Sequence, residues 1–337
     1  MSTSRAQTVR DFLLPTRVTA WVRALAWASM FANALLIVTG GAVRLTGSGL
    51  GCPTWPRCTD ASWTNTPEMG IHGYIEFGNR LLTFLLVAIA LLTFLAVIRM
   101  RDRHPLFWKL AFAIGLGIIA QAVIGGIVVR TGLNPWLVGV HFVLSAVLVA
   151  TAAVLVNRTR RASLGAVAER ERAGQVPRDR GVVRGLGAVI LVTTGLTIYL
   201  GTLVTGTGPH SGDSGEVARH TFDPYVITRV HVVPVYVLVA ATTVAIVLAF
   251  LRRWPSAVRM MLVVLGVLLA AQAALGYWQF FNGVPIVAVG FHMAGAAAAA
   301  AIAMMTTEKM YAVSAPADHA PIAPAAPGSE GRGLTKV

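Results

Sequence analysis

Long apolar stretches separated by short polar loops run along most of the chain, and their lengths predict eight membrane-spanning helices. A helix rises about 1.5 Å per residue, so about 20 apolar residues cross the roughly 30 Å hydrocarbon core of a bilayer. Stretches of that length occupy residues 24–44, 76–98, 108–129, 137–157, 185–206, 226–250, 258–280 and 286–306. The pattern predicts an all-α polytopic membrane protein.

The distribution of basic residues between alternate loops predicts the orientation of these spans. Twenty-two lysines and arginines lie on the side that carries both termini, and only Arg57, Arg130 and Arg219 lie on the other. Because positively charged loops remain in the cytoplasm, both termini are expected on the cytoplasmic side of a bacterial plasma membrane. The cytoplasmic parts are then the N-terminal tail 1–23, a basic linker 158–184 and a C-terminal tail 307–337, which is rich in Ala and Pro and is predicted to be disordered.

Composition agrees with a membrane protein and argues against other classes. The 337 residues are 55% hydrophobic and 12% charged, whereas a soluble domain carries about 25% charged residues. The net charge of +14 does not indicate nucleic acid, because the basic residues lie in loops between apolar runs rather than among stacking aromatics. Membrane lipid is the expected surrounding.

Matching motifs in the two halves predict an internal repeat. Gln121-Ala-Val-Ile-Gly125 and the later His141 match Gln272-Ala-Ala-Leu-Gly276 and the later His292. Asn79 aligns in the same way with His231. The chain is therefore predicted to form two parallel four-helix bundles, 24–157 and 185–306, on either side of the basic linker.

Ionisable residues within the spans are the candidates for chemistry, because burying them in lipid is costly. His141, His231 and His292 each follow a helix-starting proline by six or seven residues, which places all three about 10 Å below the outer surface. His231 and His292 lie on the second and fourth helices of one bundle, where two imidazoles can face each other across a haem iron. In the N-terminal bundle, His141 is opposed by Asn79. A zinc site is less favoured, because no further ligands complete the set that zinc needs. The alternative to haem binding is that each histidine only hydrogen-bonds a neighbouring helix.

Three charged side chains near this histidine layer have two interpretations each. Arg80 and Arg229 could pair with haem propionates or could be ordinary charges near helix ends. Glu76 could accept a proton or position a water beside a porphyrin, or could simply pair with Arg80 one turn away. Thr228 stands at the matching position of the second half, so the repeat is broken at Glu76.

The only two cysteines, Cys52 and Cys58, lie in one exported loop. A disulfide is expected outside the cytoplasm. Their spacing fits neither a Cys-x-x-Cys redox or zinc site nor covalent haem attachment. A structural crosslink and a redox role beside the N-terminal bundle both remain open.

Two sequence runs carry a resemblance to a known family. Gly40-Gly-Ala-Val-Arg-Leu-Thr-Gly-Ser-Gly-Leu-Gly-Cys-Pro-Thr-Trp-Pro-Arg-Cys58, followed by Ile75-Glu-Phe-Gly-Asn-Arg80, resembles bacterial haem A synthase. The likeness extends over all eight spans, roughly residues 20–308. It implies an oxidoreductase that converts a ring methyl of haem O to the formyl group of haem A through hydroxylated intermediates, for the assembly of cytochrome c oxidase.

The resemblance also implies roles for individual residues. His231 and His292, with Arg229 nearby, would bind haem b as an electron-transfer cofactor. His141 would bind the iron of the substrate haem, with Asn79 and Arg80 beside it, and Glu76 matches the acidic residue of that site. Many members of the family have a histidine where Asn79 stands, so we expect the substrate haem of this chain to be five-coordinate on His141.

Other functions and partners follow from the same features. A dihaem b-type electron-transfer protein would favour four symmetric histidines, and a non-enzymatic haem carrier would bind haem without changing it. A transporter is disfavoured by the parallel repeat. A haem O-forming prenyltransferase and an electron acceptor that the sequence does not identify are the expected partners of the enzyme.

Overall fold

Eight long helices, all long and apolar enough to cross a membrane, form the body of the protein. A computed structural model describes residues 5–164, 179–213 and 215–314. The spans are α2 (Ala20–Leu45), α3 (Gly70–Ile98), α4 (Pro105–Arg130), α5 (Pro135–Ser163), α6 (Arg180–Thr207), α7 (Pro224–Leu251), α8 (Ser256–Phe281) and α9 (Ile286–Ser314). The prediction of an all-α, multi-pass membrane protein is confirmed.

The helices extend beyond the predicted apolar stretches at several ends. A short helix that was not predicted, α1 (Arg5–Leu13), precedes the first span. The polar ends of α5 and α6 reach into the predicted linker 158–184, and α9 continues into the predicted tail. Hydropathy measures only the part of a helix that lies in hydrocarbon, whereas backbone hydrogen bonding continues into the interface. The middle of the linker, 165–178, and the tail 315–337, whose disorder was predicted, lie outside the described residues.

Local sequence signals account for where several helices begin. Proline occupies the first turn of α4, α5 and α7, where its missing N–H costs no hydrogen bond. The Asn134 side chain accepts the Trp136 N–H, and the Asp223 carboxylate accepts the Tyr225 and Val226 N–H groups. These caps satisfy backbone donors at the ends of α5 and α7 that precede His141 and His231.

Contacts between helices divide the spans into two rings of four. In the first half, α2 packs on α3, α3 on α4, α4 on α5, and α5 back on α2; α6 to α9 repeat this order in the second half. The two rings meet through α2, α5, α6 and α9. In each ring the second and fourth helices are therefore diagonal, on opposite sides of the bundle interior. That the two halves are copies of one unit, with domain limits at 24–157 and 185–306, stays a prediction.

Candidate functional site

The three predicted ligand histidines share one kind of environment. Each imidazole packs against a glycine on the neighbouring helix of its own bundle. A Cβ atom added at that glycine would lie 3.2 to 3.5 Å from the histidine Cε1. The pairs are His141 with Gly125, His231 with Gly201, and His292 with Gly276. A larger side chain at these glycines would press on the ring, so the glycines provide the room that the imidazoles occupy.

These histidines are held largely by packing. Within the described residues, Nδ1 of His141, His231 and His292 is buried and has no hydrogen-bond partner. The ring of His231 also lies near the backbone of Thr197 on α6. A buried polar nitrogen without a partner is costly and needs an explanation. For His141 and His292, the geometry therefore does not support the alternative that the histidine only bonds a neighbouring helix, and a role as a metal ligand fits it.

In the second half, two of these imidazoles are arranged as a pair. His231 lies on α7 and His292 on α9, the diagonal helices of that ring. Two neutral imidazoles that approach from opposite sides of a bundle are a donor set that haem iron accepts.

In the first half, the matching pair is one histidine and one amide. His141 lies on α5, and Asn79 lies on the diagonal helix α3. The Thr39 hydroxyl donates to Asn79 Oδ1 at 2.7 Å. The amide oxygen of Asn79 is therefore already engaged with α2, and His141 is the one imidazole of this pair.

Glu76 is buried, with only 5% of its surface exposed, and both of its oxygens are bonded. Oε2 accepts the Cys52 N–H at 2.5 Å, and Oε1 accepts Arg80 Nη2 at 2.5 Å and Nε at 3.2 Å. The ion pair at i,i+4 that the sequence offered as the alternative is thus present. This ion pair is not the only bond of the carboxylate, because the second oxygen binds the backbone of the loop that contains Cys52.

Arg80 fastens the same loop with the rest of its guanidinium. It donates to the carbonyl oxygens of Cys52 at 2.9 Å, Thr54 at 3.0 Å and Arg57 at 3.2 Å. These contacts place Arg80 between Glu76 and the loop. Arg229 differs, since its side chain is exposed at the start of α7 and no partner is recorded for it within the described residues. Of the two arginines, Arg229 is the one free to meet a ligand carboxylate.

The predicted disulfide between Cys52 and Cys58 is present, and both residues are fully buried. The Trp55 indole of the same loop packs against Gly126 on α4, where a Cβ would collide with the ring. The loop is therefore held by α3 through Glu76 and Arg80 and by α4 through Trp55. It lies folded over the outer end of the first bundle.

The loop between α6 and α7 in the second half also reaches the first half. Ser48 forms an isolated antiparallel bridge with Asp213, and the Gly49 N–H donates to the Gly212 carbonyl at 2.7 Å. Arg44 Nη2 donates to the Thr205 carbonyl at 3.0 Å. The sequence analysis named Arg44 only as part of a motif and did not predict its contact with the other half. Its position at the end of an apolar span was the feature that could have indicated such a role.

Two further histidines lie where these loops of the two halves meet. His220 packs edge-on against Trp136, with ring centroids 4.4 Å apart, at the start of the helix that carries His141. Burial, followed by the positive charge of Arg44, lowers the pKa of His220, so the ring is neutral at pH 7. His72 Nδ1 bonds the Ser48 hydroxyl at 2.9 Å.

An open cleft of about 350 Å³ lies between the two exported loops. Its walls are Gly47, Leu50, Gly51, Pro53, Met69, His72 and Asp213. Cys52, whose N–H donates to Glu76, stands in the chain between the cleft residues Gly51 and Pro53. The cleft thus borders the loop segment that Glu76 holds.

The glutamines of the repeated motif contact the histidine-bearing helices in both halves. Gln121 Nε2 donates to the His141 carbonyl at 3.0 Å and also bonds Ser145. The Gln272 amide packs directly against Gly295, three residues after His292. Both glutamines therefore set how α4 and α8 lie against the histidine-bearing helices.

Comparison with known proteins places this arrangement in a family. The model of the cytochrome oxidase assembly protein family, COX15-CtaA, matches residues 23–210, more than half of the chain. Similar curated proteins include "Heme A synthase" of Bacillus pumilus, 31% identical over 40% of this chain and 43% of its own length. "Heme A synthase" of Methylobacterium radiotolerans is 29% identical over 52% and 53% of the two chains, and that of a Bradyrhizobium species 29% over 57% and 59%.

The matches to these relatives span about two fifths to three fifths of their length. The family model covers α2 to α6, which include Glu76, Asn79, Arg80, His141 and the disulfide loop. With eight spans, a disulfide-closed outer loop over the first bundle and a buried histidine in that bundle, this chain belongs to the cytochrome oxidase assembly protein family COX15-CtaA.

Proposed function

We propose that this protein is a haem A synthase, which oxidises a ring methyl of haem O to the formyl group of haem A. One observation carries the proposal beyond family membership: three histidines sit on glycines of neighbouring helices with Nδ1 buried and unbonded. A buried imidazole that is not tied to a neighbouring helix through its ring nitrogens has Nε2 available to bind haem iron. The "Heme A synthase" relatives supply the reaction.

His231 and His292 are the residues that would hold haem b. They come from the diagonal helices α7 and α9, so an iron between them would receive one imidazole from each side. When bound, haem b supplies one-electron transfer. The exposed guanidinium of Arg229 lies two residues before His231, where it is free to bind a propionate.

His141 would hold the iron of the substrate haem in the first bundle. Asn79 opposes it but already accepts the Thr39 hydroxyl, so the substrate iron would receive a single imidazole. Arg80 contributes to this site chiefly by holding Glu76 and the exported loop.

Glu76 is the residue that we assign to proton movement. Oxidation of a methyl group releases protons, and Glu76 is the buried carboxylate of the first bundle. The positive charge of Arg80 stabilises the carboxylate form, and the Cys52 N–H fixes Oε2. The disulfide loop and Trp55 cover this side of the bundle and limit access of water.

The surroundings of the enzyme follow from the charge pattern. We propose that both termini face the cytoplasm, since the basic loops lie on that side. Haem O is then supplied within the same membrane by a prenyltransferase, and electrons leave through haem b to an acceptor that meets the second bundle.

The test is to express the chain with a supply of haem O, purify it, and identify its extracted haems by chromatography with mass detection. Haem A or its hydroxylated precursor, found beside haem b, is the expected result. Haem b alone despite abundant haem O would support the dihaem electron-transfer alternative, and unaltered bound haem O would support the carrier.

Two histidine variants test the assignment of the bundles. His292→Ala is expected to lose haem b while the first bundle still binds haem O. His141→Ala is expected to keep haem b and to lose the substrate haem. Loss of both haems in both variants would mean that the histidines act on folding instead. His104→Ala, at the start of α4, is the control.

A further inference from the structure

A second cavity lies at the end of the first bundle opposite the disulfide loop. It has a volume of about 320 Å³ and lies between the N-terminal end of α2 and the C-terminal end of α5. Its walls are Arg23, Trp27, Val156, Thr159, Arg160, Ser163 and Leu164. This volume is at the lower end of the range of ligand pockets, about 300 to 1,000 Å³.

The polar part of this cavity is positively charged. Arg23 and Arg160 line it from the two helices, and within the described residues no carboxylate lines the cavity or pairs with either guanidinium. The hydroxyls do not compete for a ligand, since Thr159 bonds the Leu155 carbonyl and Ser163 bonds the Arg160 carbonyl. Neighbouring arginines at this end of the molecule are paired instead, as Arg158 is with Glu308.

The apolar part continues from the arginines into the membrane-spanning surface. Trp27 lies one turn beyond Arg23 on α2 and stacks on Phe31, with ring centroids 5.4 Å apart. The exposed fractions are 37% for Trp27 and 60% for Phe31. A ligand with an anionic head and a hydrocarbon tail would place the head between the guanidiniums and the tail along this aromatic stripe.

We infer that this cavity binds the phosphate headgroup of an anionic phospholipid from the leaflet on the N-terminal side. Paired guanidiniums bind phosphate oxygens in bidentate geometry. Basic pockets between spanning helices on the cytoplasmic side are suited to anionic lipid heads. The site is separate from the histidine layer, so the inference does not depend on the proposed reaction.

The test uses the full chain in nanodiscs with equal amounts of phosphatidylglycerol and phosphatidylcholine, followed by native mass spectrometry of the released protein. Wild type is expected to retain phosphatidylglycerol in preference to phosphatidylcholine. Arg23→Gln and Arg160→Gln are each expected to lower this retention about fivefold. Arg101→Gln, an exposed arginine of a loop at the same end, is the matched control and is expected to change nothing.

Further measurements distinguish the possible occupants of the cavity. Phosphatidylglycerol with brominated acyl chains is expected to quench the emission of wild type more than that of Trp27→Phe. Equal retention of both lipids, or retention that survives Arg23→Gln/Arg160→Gln, overturns the inference. Displacement by inorganic phosphate would reassign the site to a free anion. Stronger retention in Glu169→Gln/Glu171→Gln would mean that carboxylates of the linker, which lies outside the described residues, compete with the lipid for the arginines. An unchanged gel-filtration profile verifies that each variant is folded.

Discussion

At the residue scale, the difference between the two bundles rests on a few side chains. The second bundle offers two imidazoles, His231 and His292, whereas the first offers His141 and an amide, Asn79. A buried carboxylate, Glu76, stands in the first bundle where the second has Thr228, whose hydroxyl only bonds the Pro224 carbonyl of its own helix. These differences are the basis on which the proposed function assigns electron transfer to the second bundle and the reaction to the first.

Replacing Glu76 by Gln should abolish most of the activity without loss of haem b. The amide keeps the shape of the side chain but cannot accept a proton, and a proton-transfer residue contributes about 100-fold to 10,000-fold. Extracted haems from Glu76→Gln should therefore contain haem O in place of haem A. Glu68→Gln, in the turn before α3, is the control. Normal haem A content in Glu76→Gln would remove Glu76 from the reaction.

Replacing Asn79 by His should change the spectrum of the first bundle. A second imidazole opposite His141 gives the substrate iron two axial nitrogens, so a second low-spin signal is expected beside that of haem b. Electron paramagnetic resonance of the oxidised protein measures it. Thr39→Val removes the hydroxyl that bonds Asn79 but adds no ligand, and it should leave the spectrum unchanged. Two low-spin haems in the unaltered protein would refute the single-imidazole assignment.

At the scale of elements, the disulfide loop is fixed to α3 through one arginine and one glutamate. Arg80 reaches three carbonyls of the loop, and Glu76 accepts one of its N–H groups. Hydrogen bonds to charged groups contribute about 1.5 to 3 kcal/mol each when buried. These two side chains therefore contribute substantially to holding the loop, beside the disulfide and the packing of Trp55.

Replacing Arg80 by Gln should expose the disulfide to reductant. Loss of the guanidinium contacts lowers the free energy of local opening, and reduction by a phosphine should be faster by about tenfold or more. Alkylation of the released thiols with time, read by mass spectrometry, measures the rate. Arg130→Gln, an exposed arginine at the outer end of α4, is the control. An unchanged rate would mean that Trp55 and the disulfide alone fix the loop.

At the scale of the whole molecule, the two bundles are joined at both membrane faces. The outer face is joined through Arg44 with Thr205 and through Ser48 with Asp213. At the opposite end, the buried Asn157 of α5 donates to the Met305 carbonyl of α9 at 3.0 Å. These contacts fix the bundles relative to each other, and under the proposed function they would keep the two haem sites at a constant separation for electron transfer.

Removing the Asn157 amide should loosen this junction. An interhelical hydrogen bond inside a membrane protein contributes on average about 0.6 kcal/mol and at most about 1.7, so Asn157→Ala should lower the free energy of unfolding by about 1 kcal/mol. Unfolding of the purified protein in mixed micelles measures it. Thr151→Ala, whose hydroxyl bonds only its own helix, is the control, and equal losses in both variants would contradict the prediction.

Part of the site could be predicted from the sequence, and part could not. That His141, His231 and His292 lie on spanning helices was predictable from hydropathy, and their common depth, which helix rise predicts, stays a prediction. The roles of Arg80 and Arg44 were not predictable, because their partners are backbone carbonyls up to 161 residues away. A carbonyl is common to every residue and leaves no mark in a sequence.

The sequence by itself determined the eight spans, the position of three histidines on them and the loop closed by Cys52 and Cys58. Hydropathy, helix geometry and thiol chemistry act locally, so they can be read along the chain. Only the tertiary structure decided which helices are diagonal, that each histidine meets a glycine, and that Glu76 and Arg80 together hold the loop. Those features depend on how helices pack side by side, and such packing joins residues that no local pattern relates.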